Sequence, residues 1–451
     1  MSDTATRRDA SGSEPTLGAF PQQYANFPRS SNVNLQPLRE QGWAAFQQLG
    51  FPSRKVEAWK YTDTRGISRG TFEPATQLAS VEIAAESSLD IDAYRLVFVD
   101  GVFDPAASAL GDLPEGVQLA PLSHRIEGNA ALPEGFAGLL GADAGPFSAL
   151  NLAFAGEGVV LNVGRNVELD KPVYVHFYST AQAQPVMSHP RLLIRLEDNA
   201  RAKVIEHFNG DADAKNFTNV VGEGYLAAGA RLDVYKLNEA AEQEFHVANF
   251  KLEQDRDSHF VSHNLTLGGG LTRNDLDTEL NGTNAQTEYW GLFFVNGRQH
   301  VDNHTVVNHN VAKTFSNENY KGIMNDRGHG VFNGRVYIKQ DAQEVRGYQN
   351  NANLLLSDKA EIDTKPELEI YADDVLCSHG ATTGQLDEEA VFALRARGID
   401  EDKARALLTL AFAGEVLEAT EIPAISQRVE RRVAGMLPDR FDLEDLVEFA
   451  Q

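Results

Sequence analysis

The chain between residues 366 and 384 reads PELEIYADDVLCSHGATTG, and this stretch decides how the rest of the sequence is interpreted. It holds Cys377, the single cysteine of the 451 residues, and His379 two positions later. Read as one strand, it places Leu368 and Leu376 on one face and Cys377 and His379 together on the other. A thiolate and an imidazole can bind a soft or borderline metal, but two ligands do not complete a site. The sequence pattern leaves an inert cysteine and a turn histidine as the alternative.

The segment before this stretch, residues 151–384, is predicted to be a β-rich core. Short runs of alternating β-branched and aromatic residues follow one another, separated by Asn, Asp and Gly. A unit made of a small polar turn, an Ala or Gly and an alternating strand recurs loosely. Its copies begin near Asp198, Ala228, Gly282, Asp326 and Ser357. Coiled strands with short turns are typical of a β-solenoid, and a two-sheet sandwich is the alternative.

The flanking regions differ from this core in composition. Residues 1–30 are polar and predicted to be disordered, and residues 31–150 are helical and mixed. In the latter region the pattern predicts a helix over 33–49 and a hairpin turn at Asp100-Gly101. Residues 385–451 read as three or four helices, which either cover the core or offer a surface to a partner.

The composition excludes several classes of function. A net charge of −25 argues against nucleic acid or an anionic membrane as the main partner. One cysteine fits a reducing compartment, so a cytoplasmic protein is expected, and it rules out an all-cysteine cluster site within one chain. No apolar run is long enough for a transmembrane helix, and no GxxxxGK[ST] loop predicts nucleotide binding.

Other chemistry-bearing residues are weaker candidates. In the segment HVDNHTVVNH, His300 and His304 share a strand face and His309 does not, which makes a three-histidine metal site improbable. A different class of function, a β-solenoid carbohydrate-active enzyme, would need a groove lined by carboxylates. The aspartates available for such a groove are Asp302, Asp326 and Asp341.

Several motifs in a fixed order resemble a known family. The longest runs over 351–399, with LLLS, PELEI, DDVLCSHG and RGI in succession. FPSRKVEAWKYTD at 51–63, LGGGLTRND at 267–275 and VFNGRVYIKQDAQ at 331–343 support it. The chain is similar to the SufB/SufD family of the SUF iron–sulfur cluster assembly machinery. SHGATTGQLDEE after Cys377 resembles the SufD branch, since SufB-like sequences carry C-x-H-E-A-T there.

The resemblance implies a mainly β protein, a right-handed parallel β-helix with N-terminal and C-terminal helical regions. It implies a non-enzymatic assembly subunit that pairs with a SufB-like homologue near the C-terminal end of the β-helix. The C-terminal helices would bind a SufC-like ABC ATPase. His379, with Cys377 beside it, would lie where a transient iron–sulfur cluster is assembled at the subunit interface. Whether the chain forms homodimers when alone is left open.

Overall fold

The computed structural model describes residues 15–437 and shows a parallel β-solenoid with helices packed on its two faces. The predicted fold class is therefore confirmed. The strands, in chain order, are β1 Glu73–Pro74, β2 Tyr94–Val99, β3 Val102–Ala109, β4 Val117–Pro121, β5 Gly158–Val163, β6 Val173–Ser179, β7 Val186–Ser188, β8 Arg191–Leu196, β9 Arg201–Gly210, β10 Phe217–Leu226, β11 Arg231–Asn238, β12 Phe245–Gln254, β13 His259–Thr266, β14 Leu271–Leu280, β15 Gln286–Val295, β16 His300–His309, β17 Phe315–Met324, β18 His329–Ile338, β19 Val345–Leu355, β20 Glu361–Ile370 and β21 Val375–Gly384.

The helices precede or follow the long run of strands from β5 to β21. They are α1 Phe20–Asn26, α2 Leu35–Leu49, α3 Arg65–Arg69, α4 Leu122–Arg125, α5 Pro146–Ala153, α6 Glu388–Arg395, α7 Glu401–Glu418 and α8 Pro423–Met436, with short 3₁₀ turns at Glu57–Trp59 and Ala85–Ser87. In the described range, none of them is long and apolar enough to span a membrane.

The strands form two sheets that face each other. From β8 to β20 the even-numbered strands lie side by side in an 11-stranded sheet, here called sheet A. From β9 to β21 the odd-numbered strands form a 10-stranded sheet, sheet B. Neighbouring strands along both series are parallel, so each coil contributes one strand to each sheet. Strands β2 to β4 also join these sheets, so residues before 151 contribute to the solenoid.

The corners of the coils explain the loose repeat in the sequence. Asn199, Asp257, Asn284 and Asp326 all adopt positive φ angles between 52° and 61°. Asn and Asp tolerate this left-handed conformation better than other non-glycine residues. The interval between the repeat copies at Ala228 and Gly282 is longer than the other intervals because it contains one more corner, at Asp257. The sequence at that corner lacks a glycine. The structural repeat is therefore more regular than the sequence indicated.

Most buried apolar side chains of the described residues lie in three regions. The largest core lies between the sheets and includes Phe208, Phe260 and Phe293. A second covers the outer face of sheet A with N-terminal residues, and a third joins the outer face of sheet B to α7 and α8.

Helix α1 belongs to the second core, with Phe20 fully buried, so the disorder predicted for residues 1–30 is wrong where the structure describes them. Apolar burial explains the order of α1. Residues 1–14 and the acidic tail after Pro438 lie outside the described residues.

The C-terminal helices occupy a position that sequence reasoning did not predict. They were expected either to cap the open end of the solenoid or to bind a partner. Ala413 and Val416 of α7 and Val429 of α8 instead pack on the outer face of sheet B. The terminal strands β20 and β21 each pair with one neighbour and have a free edge among the described residues.

Candidate functional site

The stretch that holds Cys377 and His379 forms the last corner of the solenoid. It is not one strand as predicted, because β20 ends at Ile370 and β21 begins at Val375. Glu344 N donates to Asp374 O, and Asp374 N donates to Gln343 Oε1 at 2.8 Å. These bonds tie the corner to the coil before it. The alternation across 366–384 is therefore interrupted, and each strand must be read separately.

Cys377 points into the solenoid. Its register partner is Gly347 on β19, and a Cβ on that glycine would lie 3.4 Å from Cys377 Sγ. The thiol packs with Leu368 and Val375 against a small apolar cluster. Leu376 is 64% exposed, so the prediction that Cys377 turns away from the buried apolar row is wrong. Burial raises the pKa of the Cys377 thiol, which favours the protonated form.

His379 lies on the same inward-facing side of β21 but is exposed. Its register partner on β19 is Gln349, which is buried. The difference arises because no further coil covers β21 among the described residues. Cys377 and His379 therefore share a face, as predicted, with the thiol half-buried. The imidazole stands at the mouth of the solenoid.

Buried polar groups lie directly behind this mouth, and sequence reasoning missed them. Glu318 and Gln349 precede His379 on one register ladder across β17, β19 and β21. Glu318 Oε2 accepts from Thr305 Oγ1 at 2.6 Å and from Gln349 Nε2 at 3.3 Å. Glu318 Oε1 and Gln349 Oε1 have no hydrogen-bond partner among the described residues. Burial raises the pKa of Glu318 to about 7. The sequence signal that could have revealed these buried polar groups is Glu318, a carboxylate at an inward-facing position of an alternating strand.

The chain by itself does not provide a complete metal or cluster site in its described part. Between residues 15 and 437, no group of three or more His, Cys, Asp or Glu side chains is arranged to hold a metal ion. Four ligands are usual for an iron–sulfur cluster. Cys377 and His379 supply two at most, so any cluster held here needs ligands from outside this range.

The surface beside the mouth carries exposed apolar side chains. Four large side chains on β19 to β21 and their corner are exposed: Tyr348 at 36%, Ile370 at 39%, Tyr371 at 59% and Leu376 at 64%. A free strand edge with exposed apolar side chains favours pairing with another chain.

The aspartates of the alternative, a carbohydrate-active enzyme, do not form a groove. Asp302 is buried and bonded to Arg273 Nη1 at 2.7 Å and His304 Nε2 at 2.9 Å. Burial opposes its ionisation, but His304 and Arg273 outweigh burial and hold the pKa of Asp302 well below its usual range. Asp326 and Asp341 lie in solvated corners elsewhere. A carboxylate that Arg273 and His304 hold in the ionised form is a poor general acid.

The motif at residues 51–63 has a structural role in this chain. Trp59 stacks on Phe147 with centroids 5.0 Å apart, and the Arg273 guanidinium lies 3.9 Å from the Trp59 ring centroid. Of the histidines in 300–309, His309 is buried and bonds Ser316, so it joins neither of the others.

Comparisons with known proteins bear on the family of this chain. A family model for the SUF system FeS cluster assembly SufBD core domain matches residues 177–412, and one for the SufBD protein N-terminal region matches residues 16–175. The chain belongs to the SufBD family. The iron–sulfur cluster assembly protein SufD of Escherichia coli is 33% identical over 92% of this chain and 96% of its own length. A SufBD family protein of Synechocystis is 32% identical over 86% of this chain, and the chloroplastic protein ABCI7 of Arabidopsis thaliana is 28% identical over 97%.

Membership of the SufBD family confirms the resemblance drawn from the motifs. The similarity to Escherichia coli SufD also confirms the choice of the SufD branch over the SufB branch. The chain is thus a SufD-type subunit for iron–sulfur cluster assembly.

Proposed function

We propose that this SufD-type chain pairs with a SufB-like homologue through the open end of its solenoid and supplies His379 to a transient iron–sulfur cluster. The observation that carries the proposal is the position of His379. It is an exposed imidazole on a free edge strand, within the segment that ends the solenoid. A partner strand laid beside β21 would bring its own ligands next to this ring.

The ligand count supports a shared site. One cysteine and one histidine leave a cluster about two ligands short of the usual four. Cys377 would be the secondary ligand, because its thiol is half-buried and must lose a proton before it binds metal. A partner richer in cysteine would supply the remaining ligands.

The edge itself supports pairing. Free N–H and C=O groups of β20 and β21 gain hydrogen bonds when another strand lies beside them. The exposed side chains of Tyr371 and Leu376 would be buried in the same event. The same features allow two copies of this chain to pair when the homologue is absent, which makes a homodimer the resting form of the isolated subunit.

The C-terminal helices are the proposed surface for a SufC-like ABC ATPase. Helices α7 and α8 use their apolar faces on sheet B, whereas Phe392 of α6 is 70% exposed. The chain carries no P-loop, so nucleotide hydrolysis would belong to that partner. This subunit would be non-catalytic and cytoplasmic.

The test is co-expression of tagged wild type with the SufB-like and SufC-like proteins of the same host. Purified complexes are compared for partner content, iron and acid-labile sulfide, alongside His379→Ala, Cys377→Ser and the control His259→Ala. His259 is a partly exposed histidine near the start of β13, away from the mouth. We expect His379→Ala to keep both partners and lose most cluster, with a smaller loss in Cys377→Ser and none in the control.

Two results would contradict the proposal. A complex of His379→Ala with unchanged iron and sulfide would show that His379 is not a ligand of the cluster. Failure of wild type to bind either partner would show that the proposed complex does not form.

A further inference from the structure

Two histidines on neighbouring strands of sheet A face each other outside the site described above. His300 is the first residue of β16 and His329 the first of β18, and the strand register pairs them. Their Nδ1 atoms are 3.1 Å apart. The sequence predicted a pairing of His300 with His304 by spacing, whereas the solenoid brings it to a residue 29 positions away.

The outer nitrogens of both rings donate hydrogen bonds. His329 Nε2 lies 2.8 Å from Asp363 Oδ2, and a carboxylate oxygen can only accept. His300 Nε2 lies 2.8 Å from Thr62 Oγ1, whose single proton is donated to Asp302 Oδ2. His300 Nε2 must therefore donate to Thr62. With both protons at Nε2, each neutral ring presents its Nδ1 lone pair to the other.

Two lone pairs at this distance need a cation between them, and the ring geometry indicates which kind. The ring centroids are 4.7 Å apart and the planes meet at 59°. Rings joined head-on by one straight N–H···N bond of this length would have centroids about 5.4 Å apart. Two nitrogens each ~2.05 Å from one ion, at an angle of roughly 100°, would stand ~3.1 Å apart with centroids about 4.9 Å apart. The observed rings converge on a common point.

We propose that His300 and His329 form a binding site for a divalent first-row transition metal ion of borderline softness, such as Zn²⁺, coordinated through both Nδ1 atoms. Imidazole is a favoured ligand for such ions. A hydrogen bond from the outer nitrogen to a carboxylate is the usual way in which a metal-binding histidine is oriented. Asp363 does this directly for His329, and Asp302 does it through Thr62 for His300.

The residues around the two histidines affect the charge of the site and the access of an ion from solvent. Burial lowers the pKa of His300 to about 4, which keeps its ring neutral and able to coordinate. Asp302 and Asp363 favour a cation, and Arg273, which is bonded to Asp302, opposes it. His329 is 24% exposed, so the ion has a path to solvent. Because the described residues contain no group of three protein ligands, water would complete the coordination.

The experiment uses the full chain with Cys377→Ser and His379→Ala, which removes the other candidate metal ligands. Zn²⁺ is titrated calorimetrically into this parent. The same titration is done after adding His329→Asn or the matched control His259→Asn. His259 also begins a strand, holds a carboxylate at 2.9 Å and is 25% exposed, but its register neighbours are Arg231 and Gln286.

We expect one Zn²⁺ site in the parent and in His259→Asn, and loss of that site in His329→Asn. Asp363 is partly exposed, and Asp363→Asn keeps both ligands but removes one orienting carboxylate, so it should weaken binding roughly tenfold or more. The proposal is overturned if His329→Asn binds Zn²⁺ as the parent does. It is also overturned if the parent binds no Zn²⁺.

Discussion

Replacing the buried carboxylate behind the mouth of the solenoid should remove the pH dependence that it imposes on stability. Glu318 is fully buried, and burial raises its pKa from 4.5 to about 7. Because the folded pKa is the higher one, the favourable contribution of the protonated group is complete below about pH 4.5 and is lost as the pH rises through 7. Glu318→Gln keeps the shape and cannot ionise, so it does not suffer this loss.

The size of the effect follows from the shift. Each pKa unit corresponds to about 1.4 kcal/mol, so a shift from 4.5 to about 7 amounts to about 3 kcal/mol in total. Roughly 2.5 kcal/mol of it develops between pH 5 and pH 8. The free energy of unfolding of Glu318→Gln, relative to wild type, should therefore rise by that amount across this range.

The measurement is equilibrium urea unfolding at pH 5, 6, 7 and 8, followed by tryptophan fluorescence. Thr287→Val is the matched control, since it removes a buried polar group near Glu318 on the neighbouring coil but no titratable proton. Its difference from wild type should be the same at each pH. A difference for Glu318→Gln that stays constant, or that falls with pH, would refute the reasoning.

Other predictions concern attachment, burial and the open edge. Glu239→Gln weakens the bonds to Arg428 of α8, 2.6 Å away, and should cost about 1.5–3 kcal/mol and speed amide exchange in α8. Arg191→Met leaves a buried glutamate without its ion-pair partner and should cost about 3–5 kcal/mol in urea unfolding. Leu376→Glu should leave the melting temperature unchanged, since the side chain is 64% exposed, but abolish binding of the SufB-like homologue in size-exclusion chromatography. Alkylation of Cys377 by iodoacetamide at pH 8 should be slower than that of a free cysteine peptide, and unfolding should remove the difference.

Local pattern was enough to predict the elements and much of the architecture. Alternating β-branched residues between Asn, Asp and Gly corners predicted the strands, and Asp100-Gly101 predicted the hairpin of β2 and β3. The helices predicted within 385–451 begin with such a local signal, since the Asp387 side chain accepts from Glu389 N at the start of α6. These features depend on neighbours in sequence, which is why the sequence reveals them.

The candidate site was predicted in identity but not in arrangement. Cys377 and His379 share a face because residues two apart in a strand always do. Alternation alone does not say which face of a strand is inside. It suggested that Leu376 is buried, whereas Cys377 is the residue that faces the interior. The interior side is decided by the sheet opposite, which lies dozens of residues away in the chain.

By itself, the sequence determined the strand-forming core, the helical flanks, the single thiol and the family to which the chain belongs. Only the tertiary structure decided that the solenoid ends in an open edge, that Glu318 lies behind His379, and that His300 meets His329. In a parallel solenoid each residue contacts its equivalents one coil before and one coil after. Those contacts depend on the length of every corner between them, and a shift of one residue would turn each inward side chain outward.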